Sequence, residues 1–298
     1  MDNLNTPKVV ALGFFDGVHL GHQAILGTAA RLAREAGLQS AAITFERHPR
    51  SLVRGRAPQL ITTAARRQAL MLEQGVERVI ALPFDAQTAD TAPADFARAL
   101  AETYGALAVV CGESYRFGKD AAGTPDLLRE IGLSVHICPK VRDAEGNTIS
   151  STAVRGLVRE GETLRAALYL GRPFALEGTV IHGQQVGRRL GFPTLNLAPA
   201  DDIVLPRRGV YASEVRLQDG RSFPALTNVG SRPTFSSADI VSVESHIPGF
   251  EGDLYGSDVA IELLRFLRPE RAFESPEALR AQIAADFREA LGRGFHLQ

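Results

Sequence analysis

Two histidines three residues apart mark the first place where this chain could do chemistry. They close the segment Gly13-Phe14-Phe15-Asp16-Gly17-Val18-His19-Leu20-Gly21-His22, which follows an apolar run and opens an amphipathic one. Glycines permit a tight turn there, and the free N–H groups and dipole of a helix start favour an anion. Imidazoles at His19 and His22 would add hydrogen bonds to a polyphosphate, and Gly21 would let the backbone approach it closely. The plainer reading is an ordinary strand-to-helix turn with one solvated and one core histidine.

A second run lies in the other half, with Gly178, Val180, Gly183, Gly187, Arg188, Arg189, Leu190, Gly191, Phe192, Pro193, Thr194, Leu195 and Asn196 in fixed spacing. Glycines so placed form a loop able to fold over a phosphate through backbone N–H groups. Thr194 and Asn196 then offer a hydroxyl and an amide oxygen, hard ligands that suit Mg²⁺ shared with phosphate oxygens. Glycine and proline alone are usually turns, so this reading needs the whole run.

These motifs require particular elements to hold them. In the first half, strand-like runs at Val9–Phe14, Ser40–Phe45, Val79–Pro83, Leu107–Gly112 and Val135–Cys138 alternate with helix-like stretches near Leu20–Ala36, Ala64–Gln74, Ala94–Tyr104 and Pro125–Ile131. Helices ending at Gly37, Gly75 and Gly105 have a residue free to take positive φ. Such alternation predicts a doubly wound parallel sheet, with ligands beyond the carboxyl ends of its strands. Residues just after Phe14, Phe45 and Val110 are therefore favoured as site residues.

From about residue 172 glycine, proline and β-branched residues dominate. Strand-like runs near Ala175–His182, Val210–Leu217, Ser222–Val229, Val241–His246 and Asp258–Phe266 precede one helical stretch, Ser275–Leu291, with Ser275 as its cap. An antiparallel β-barrel closed by a terminal helix is expected. Thr152–Arg172 reads as two short helices broken at Gly161, and we place the domain boundary between residues 171 and 172.

Composition narrows the classes. Lys+Arg 33 against Asp+Glu 34 in 298 residues gives a formal charge of −1, which argues against a nucleic-acid or polybasic membrane binder. No stretch has the roughly 18 consecutive apolar residues of a membrane span, and the opening residues lack a signal-peptide core. The only cysteines, Cys111 and Cys138, lie in apolar runs and read as reduced thiols. A cytoplasmic protein is expected. Lysine occurs only at Lys8, Lys119 and Lys140, none in P-loop spacing.

The GxFDGxHxGH pattern resembles that of bacterial flavin adenylyltransferases. Ile149-Ser150-Ser151-Thr152-Ala153-Val154-Arg155 matches that family's ISSTxxR signature, whose hydroxyls and arginine would hold ATP phosphates and stabilise leaving pyrophosphate. Alone, the same residues are a helix cap with a solvated arginine. Thr44-Phe45-Glu46-Arg47-His48-Pro49 resembles TFxPHP, with Arg47 at the usual proline. Gly112-Glu113-Ser114-Tyr115-Arg116-Phe117-Gly118 resembles G-x-[DN]-F-x-FG, with Ser114 and Tyr115 as departures.

The second half resembles the riboflavin kinase module through its PTxN motif, Gly209-Val210-Tyr211-Ala212, Asn228-Val229-Gly230-Ser231-Arg232-Pro233-Thr234-Phe235 and Arg268-Pro269-Glu270-Arg271-Ala272-Phe273. Together the motifs resemble the bacterial bifunctional riboflavin kinase/FMN adenylyltransferase family, which implies substrates ATP, riboflavin and FMN, product FAD, and Mg²⁺.

For the first domain, the resemblance implies ATP binding by Gly13, Phe14, Asp16, Gly17, His19, Gly21, His22, Ser150, Ser151, Thr152 and Arg155. His19, His22 and Arg155 would take catalytic parts, and Phe45, His48, Pro49, Ser114, Tyr115 and Phe117 would bind FMN. For the second, it implies ATP binding by Gly178, Gly183, Gly187, Arg188, Gly191, Pro193, Thr194 and Asn196, with metal on Thr194 and Asn196. Asn228, Glu244, Arg268 and Phe273 would bind flavin, and Glu244 would be the general base for the ribityl 5′-hydroxyl. A plain outward-facing glutamate is its alternative, and His246 is expected only to brace its surroundings. Arg47, Ser114 and Tyr115 leave one other outcome, a riboflavin kinase that lost adenylation; a different class, a catalytically dead flavin-binding regulator, is opposed by the intact Thr194, Asn196, Glu244, His19 and His22. Small molecules rather than nucleic acid or membrane are the expected partners, and a weak homo-oligomer stays open.

Overall fold

The computed structural model describes residues 4–53, 57–183, 192–232 and 240–292. The chain divides into two compact units, Met1–Ser151 and Thr152–Gln298. The first is built on strands β1 (Lys8–Leu12), β2 (Gln39–Phe45), β3 (Arg78–Leu82), β4 (Ala106–Gly112) and β5 (Ser134–Cys138), in spatial order β3-β2-β1-β4-β5 and all parallel. Order reverses between β1 and β4, so a crevice opens beyond their carboxyl ends.

β1 reads Lys-Val-Val-Ala-Leu and is buried along its whole length, as a central parallel strand with both faces covered must be. On one face Val9 and Ala11 pack with Leu26, Ala29 and Ala33 of helix α1 (Leu20–Ala36); on the other, Val10 and Leu12 pack with Leu100, Val109 and Leu128. Full burial of each such leucine or valine stabilises by about 1.5–3 kcal/mol. Lys8 is buried too, and its ammonium donates to the carbonyls of Leu4, Thr6 and Tyr104. Burial, with help from Arg78, lowers its pKa. At the other end of α1, Gly37 takes φ 66° and its N–H returns to the Ala33 and Arg34 carbonyls, as the sequence led us to expect.

The second unit begins with helices α2 (Ser151–Glu160, whose first residue belongs to the first unit) and α3 (Thr163–Leu170), broken at Gly161 as expected. Strands then take over with the change of texture near residue 172. The compact division falls earlier because both helices are tied to the barrel. Thr163 Oγ1 donates to the Leu264 carbonyl at 3.1 Å, and the Arg207 N–H to the Val158 carbonyl at 3.3 Å.

The barrel comprises β6 (Phe174–Ile181), β7 (Thr194–Pro199), β8 (Gly209–Leu217), β9 (Ser222–Arg232), β10 (Ile240–His246) and β11 (Asp258–Arg268), closed in the order β10-β7-β6-β11-β8-β9. β7 was not foreseen: its residues read as the end of a phosphate loop. It forms because buried Leu195 and Leu197 alternate with partners on both sides, β6 and β10, and so close the barrel. The terminal helix, Pro276–Gly292, starts as expected, with Ser275 Oγ accepting from the Ala278 N–H at 3.2 Å.

Candidate functional sites

In the first unit a cavity of about 250 Å³ lies where the ends of β1, β4 and β5 meet the start of α1. Its lining includes Gly13, His19, Gly21, His22, Ser114, Tyr115 and Ser150, so residues from three separate motifs come together. The turn feeding it is strained. Phe15 and Val18 have φ of 59° and 40°, and Gly17 has φ 78°, in the left-handed region that non-glycine residues avoid. Several anchors hold it there. Asp16 is buried and its carboxylate accepts from the Ile61 N–H at 2.8 Å, the Gly17 N–H approaches Thr62 Oγ1 at 3.3 Å, and Ser151 Oγ donates to the Asp16 carbonyl at 3.0 Å. Asp16 and Ser151 thus brace the loop.

His19 caps α1, its Nδ1 accepting from the His22 N–H at 3.4 Å, which leaves the proton of the neutral ring on Nε2. The two imidazoles stack with centroids 3.7 Å apart, and His22 also meets the Phe15 ring edge-on at 5.4 Å. Gly21 matters sterically, since a Cβ there would lie 3.1 Å from His19 Cε1. His22 Nδ1 is buried without a hydrogen-bond partner among the described residues. Burial, then the neighbouring His19, pushes the His22 pKa well below its usual value, so the ring is neutral at pH 7. A neutral imidazole aimed at a cavity by a helix start is a hydrogen-bond donor for an anion that costs no proton uptake.

Other expected residues gather elsewhere. Phe14 sits under the Arg67 guanidinium at 4.1 Å and against the His48 ring at 4.6 Å, away from the cavity lining. Phe45 meets Phe84 at 4.9 Å, and Pro49 is half-buried at the end of the same segment. Phe117 is a core residue, 6% exposed and packed against Phe96 and Tyr115, so it does not line the cavity. Tyr115 does, and burial followed by nearby Cys111 raises its pKa. Thr152 is exposed; Arg155, buried one turn further along α2 in the second unit, has its guanidinium 3.5 Å from the Thr152 hydroxyl.

Sequence reasoning passed over Lys140, the one Lys or Arg among the described residues that line this cavity. The chain's other two lysines have visible structural work, Lys8 on three carbonyls and Lys119 paired with Asp90 at 2.6 Å. Scarcity of lysine, and a place just after β5, was the available signal.

In the barrel, register builds the site. Glu244 on β10 stands opposite Asn196 of β7 on one side and Asn228 of β9 on the other. Directly opposed residues share a face, so three expected side chains form one row across three strands. Beside it a cavity of about 420 Å³ is lined by Gly183, Pro193, Thr194, Asn196, Phe250 and Tyr255, among others. A Cβ on Gly183 would lie 2.3 Å from Asn196 Nδ2, so any larger residue would push the Asn196 amide aside. His246 Nδ1 donates to the Pro193 carbonyl at 2.9 Å, and its ring is flanked edge-on by Phe192 and Phe287.

Gly178, expected among the ATP-binding glycines, sits in the strand foreseen at Ala175–His182 rather than in a loop beyond it. It lies within β6 opposite Pro199, does not line the cavity, and is glycine because a Cβ would come within 2.1 Å of the Ala198 carbonyl oxygen. Arg268 is held by Asp286 of the terminal helix, with Nε and Nη2 both within 3.1 Å of the carboxylate, and Phe273 lies beneath its guanidinium at 5.6 Å. Gly187, Arg188 and Gly191, and Pro233, Thr234 and Phe235 of the other loop, lie outside the described residues.

Comparison with known proteins places both halves. A family model described as FAD synthetase matches residues 1–153, and one described as riboflavin kinase matches residues 170–292. The bifunctional riboflavin kinase/FMN adenylyltransferase of Listeria monocytogenes is 35% identical over 94% of this chain and 90% of its own. That of Pseudomonas fluorescens is also 35% identical (93% and 90%), and that of Escherichia coli K12 is 34% identical (93% and 90%). A solved structure described as a macrolide-efflux protein from Streptococcus pneumoniae aligns over 97% of both chains with TM-score 0.87 and 32% identity. Among the described residues no helix is long and apolar enough to cross a membrane.

Proposed function

The chain belongs to the bifunctional riboflavin kinase/FMN adenylyltransferase family, and from that premise we propose how its two units divide two reactions. The protein is an enzyme with both activities: it phosphorylates riboflavin to FMN and adenylates FMN to FAD. The observation that carries the division is that each unit has its own cavity, walled by its own set of motif residues.

In the kinase unit Glu244 takes the proton of the ribityl 5′-hydroxyl as that oxygen attacks the γ-phosphorus of ATP and ADP departs. Mg²⁺ is part of this proposal, on the chemistry of the donors. Thr194 and Asn196 supply neutral hard oxygens, and among the described residues no group of three His, Cys, Asp or Glu offers a fully protein-built site. That donor set fits an ion carried largely by phosphate oxygens and water. When bound, Mg²⁺ neutralises charge on the β- and γ-phosphates. Gly183 keeps room for that arrangement against Asn196.

In the adenylyltransferase unit an oxygen of the FMN phosphate attacks the α-phosphorus of a second ATP, and pyrophosphate leaves. His19 and His22 donate to the polyphosphate, Ser150 and Thr152 add hydroxyls, and the Arg155 guanidinium and Lys140 ammonium offset the charge that develops. Functionally we assign residues 1–171 to adenylation and 172–298 to the kinase, with α2 carrying the last phosphate-binding residues of the first. The workplace we propose is the cytoplasm, in keeping with two buried thiols, and the partners are small molecules, in keeping with a formal charge of −1.

Incubation with riboflavin, ATP and Mg²⁺ followed by chromatography tests the reading. FMN appearing first and FAD after it is the expected course. FMN alone would leave a kinase that lost adenylation, and neither product would leave a binding protein.

A further inference from the structure

We propose that Glu270 is a positioning residue for the kinase reaction: its carboxylate fixes the Asn228 amide so that the amide oxygen is presented beside Glu244. The inference rests on the kinase reading above. An asparagine amide has two ends of nearly equal shape, one a double donor and one an acceptor, and its surroundings decide which end faces a ligand. At Asn228 the deciding group is Glu270, whose Oε1 lies 3.0 Å from Asn228 Nδ2. An ionised carboxylate only accepts hydrogen bonds, so the amide must turn its NH₂ to Glu270 and its oxygen the other way.

Two more observations show that the place for this carboxylate is built in. Gly230 lies two residues from Asn228 on β9 and so on the same face. A Cβ there would fall 2.3 Å from Glu270 Oε1 and 3.0 Å from Asn228 Nδ2, so the carboxylate seats over that backbone only because residue 230 is glycine. Register then puts Asn228 directly opposite Glu244. The result is a row of carboxylate, amide, carboxylate and amide: Glu270, Asn228, Glu244, Asn196.

The presented oxygen selects for hydroxyl donors. A ribityl chain offers several, so one hydroxyl donates to Asn228 Oδ1 while the terminal one gives its proton to Glu244. Glu270→Gln keeps the size of the side chain but can face Asn228 with either a donor or an acceptor, so the amide is no longer held one way round.

The experiment is steady-state kinetics of full-length wild type and Glu270→Gln with ATP and Mg²⁺, using riboflavin and analogues each lacking one ribityl hydroxyl. FMN adenylation serves as the check that the chain is folded. Expected for the variant is a rise of about 5- to 30-fold in KM for riboflavin, the loss of about one hydrogen bond, with KM for ATP unchanged. Wild type should discriminate against one deoxy analogue, and the variant should lose that discrimination. Gly230→Ala, which displaces the carboxylate, should reproduce the effect. An unchanged KM for riboflavin, an equal rise in KM for ATP, or retained discrimination would each overturn the assignment. Wild type that fails to phosphorylate riboflavin would instead overturn the kinase reading itself.

Discussion

The cavity of the parallel-sheet unit is walled by loops leaving three strands and by the first turn of one helix, whereas the row in the barrel consists of side chains on neighbouring antiparallel strands. The first site therefore depends on backbone conformation: left-handed Phe15, Gly17 and Val18, with Asp16 tied to Ile61, aim a helix start at the crevice. The second depends on pairing. A one-residue slip of β10 would turn Glu244 to the other face and bring Val243 or Ser245 into the row. Two phosphate chemistries thus rest on different physical supports, and each should fail independently of the other.

Loss of the proposed base is the largest expected effect. Glu244→Gln should lower riboflavin phosphorylation by about 10²- to 10⁴-fold while FMN adenylation, assayed on the same preparation, stays near wild type. Equal loss of both activities in a folded variant would dissolve the distinction between the units. Conversely, His22→Ala and Arg155→Ala should each reduce FAD formation from FMN by about 10²- to 10³-fold, the usual cost of one charge-stabilising donor. Both should leave FMN formation from riboflavin intact. Near-normal FAD production by either variant would return that residue to a structural part.

Smaller effects are expected where the chain departs from its family. Among the described residues no hydrogen bond uses the Arg47 N–H, so a proline there would break none, and the Ser114 hydroxyl on the cavity wall has a shorter reach than an amide. Arg47→Pro with Ser114→Asn should raise FMN adenylation by roughly 5- to 150-fold, one recovered buried polar contact of about 1–3 kcal/mol, with riboflavin phosphorylation unchanged. Wild type without detectable FAD and a double variant that does not recover it would leave only the kinase. Lys140→Met should raise KM for ATP in adenylation by a few-fold and flatten its dependence on salt. An unaltered salt dependence would remove Lys140 from the site.

The smallest effect concerns pH. His22 titrates near its ordinary 6.5 in the unfolded chain and well below that when folded, so the unfolded state binds the extra proton first as pH falls. This contribution to stability is complete above about pH 6.5 and is lost as pH drops through the folded value. Thermal unfolding followed by circular dichroism should show a smaller acid-side decline for His22→Asn than for wild type. Identical declines would show that the imidazole is not held neutral by burial.

Much of this was legible in residue order. Alternating apolar runs announced the parallel sheet, because a strand covered on both faces must be apolar throughout, and Gly37 announced the end of α1, because positive φ suits glycine. His19, Gly21 and His22 announced a helix start facing a cavity, because spacing at a helix start is a local property. Strand β7 escaped notice, since Thr194–Pro199 is stable as a strand only with β6 and β10 beside it. Phe117 and Gly178 looked like site residues by motif, yet one is packed in the core and the other is set against the Ala198 carbonyl.

What the order of residues determined alone was local: where chains turn, which faces are apolar, and which residue types could meet phosphate or take a proton. Tertiary structure decided which of them meet. Asn196, Glu244 and Asn228 are far apart in sequence and share a face only through strand register, and Glu270 controls an amide forty-two positions away through one hydrogen bond. Lys140 joins the first cavity only because β5 lies beside β4 in the sheet. Such neighbours come from long-range pairing, whose free energy depends on the whole barrel or sheet closing at once and leaves no periodic trace in any short stretch of sequence.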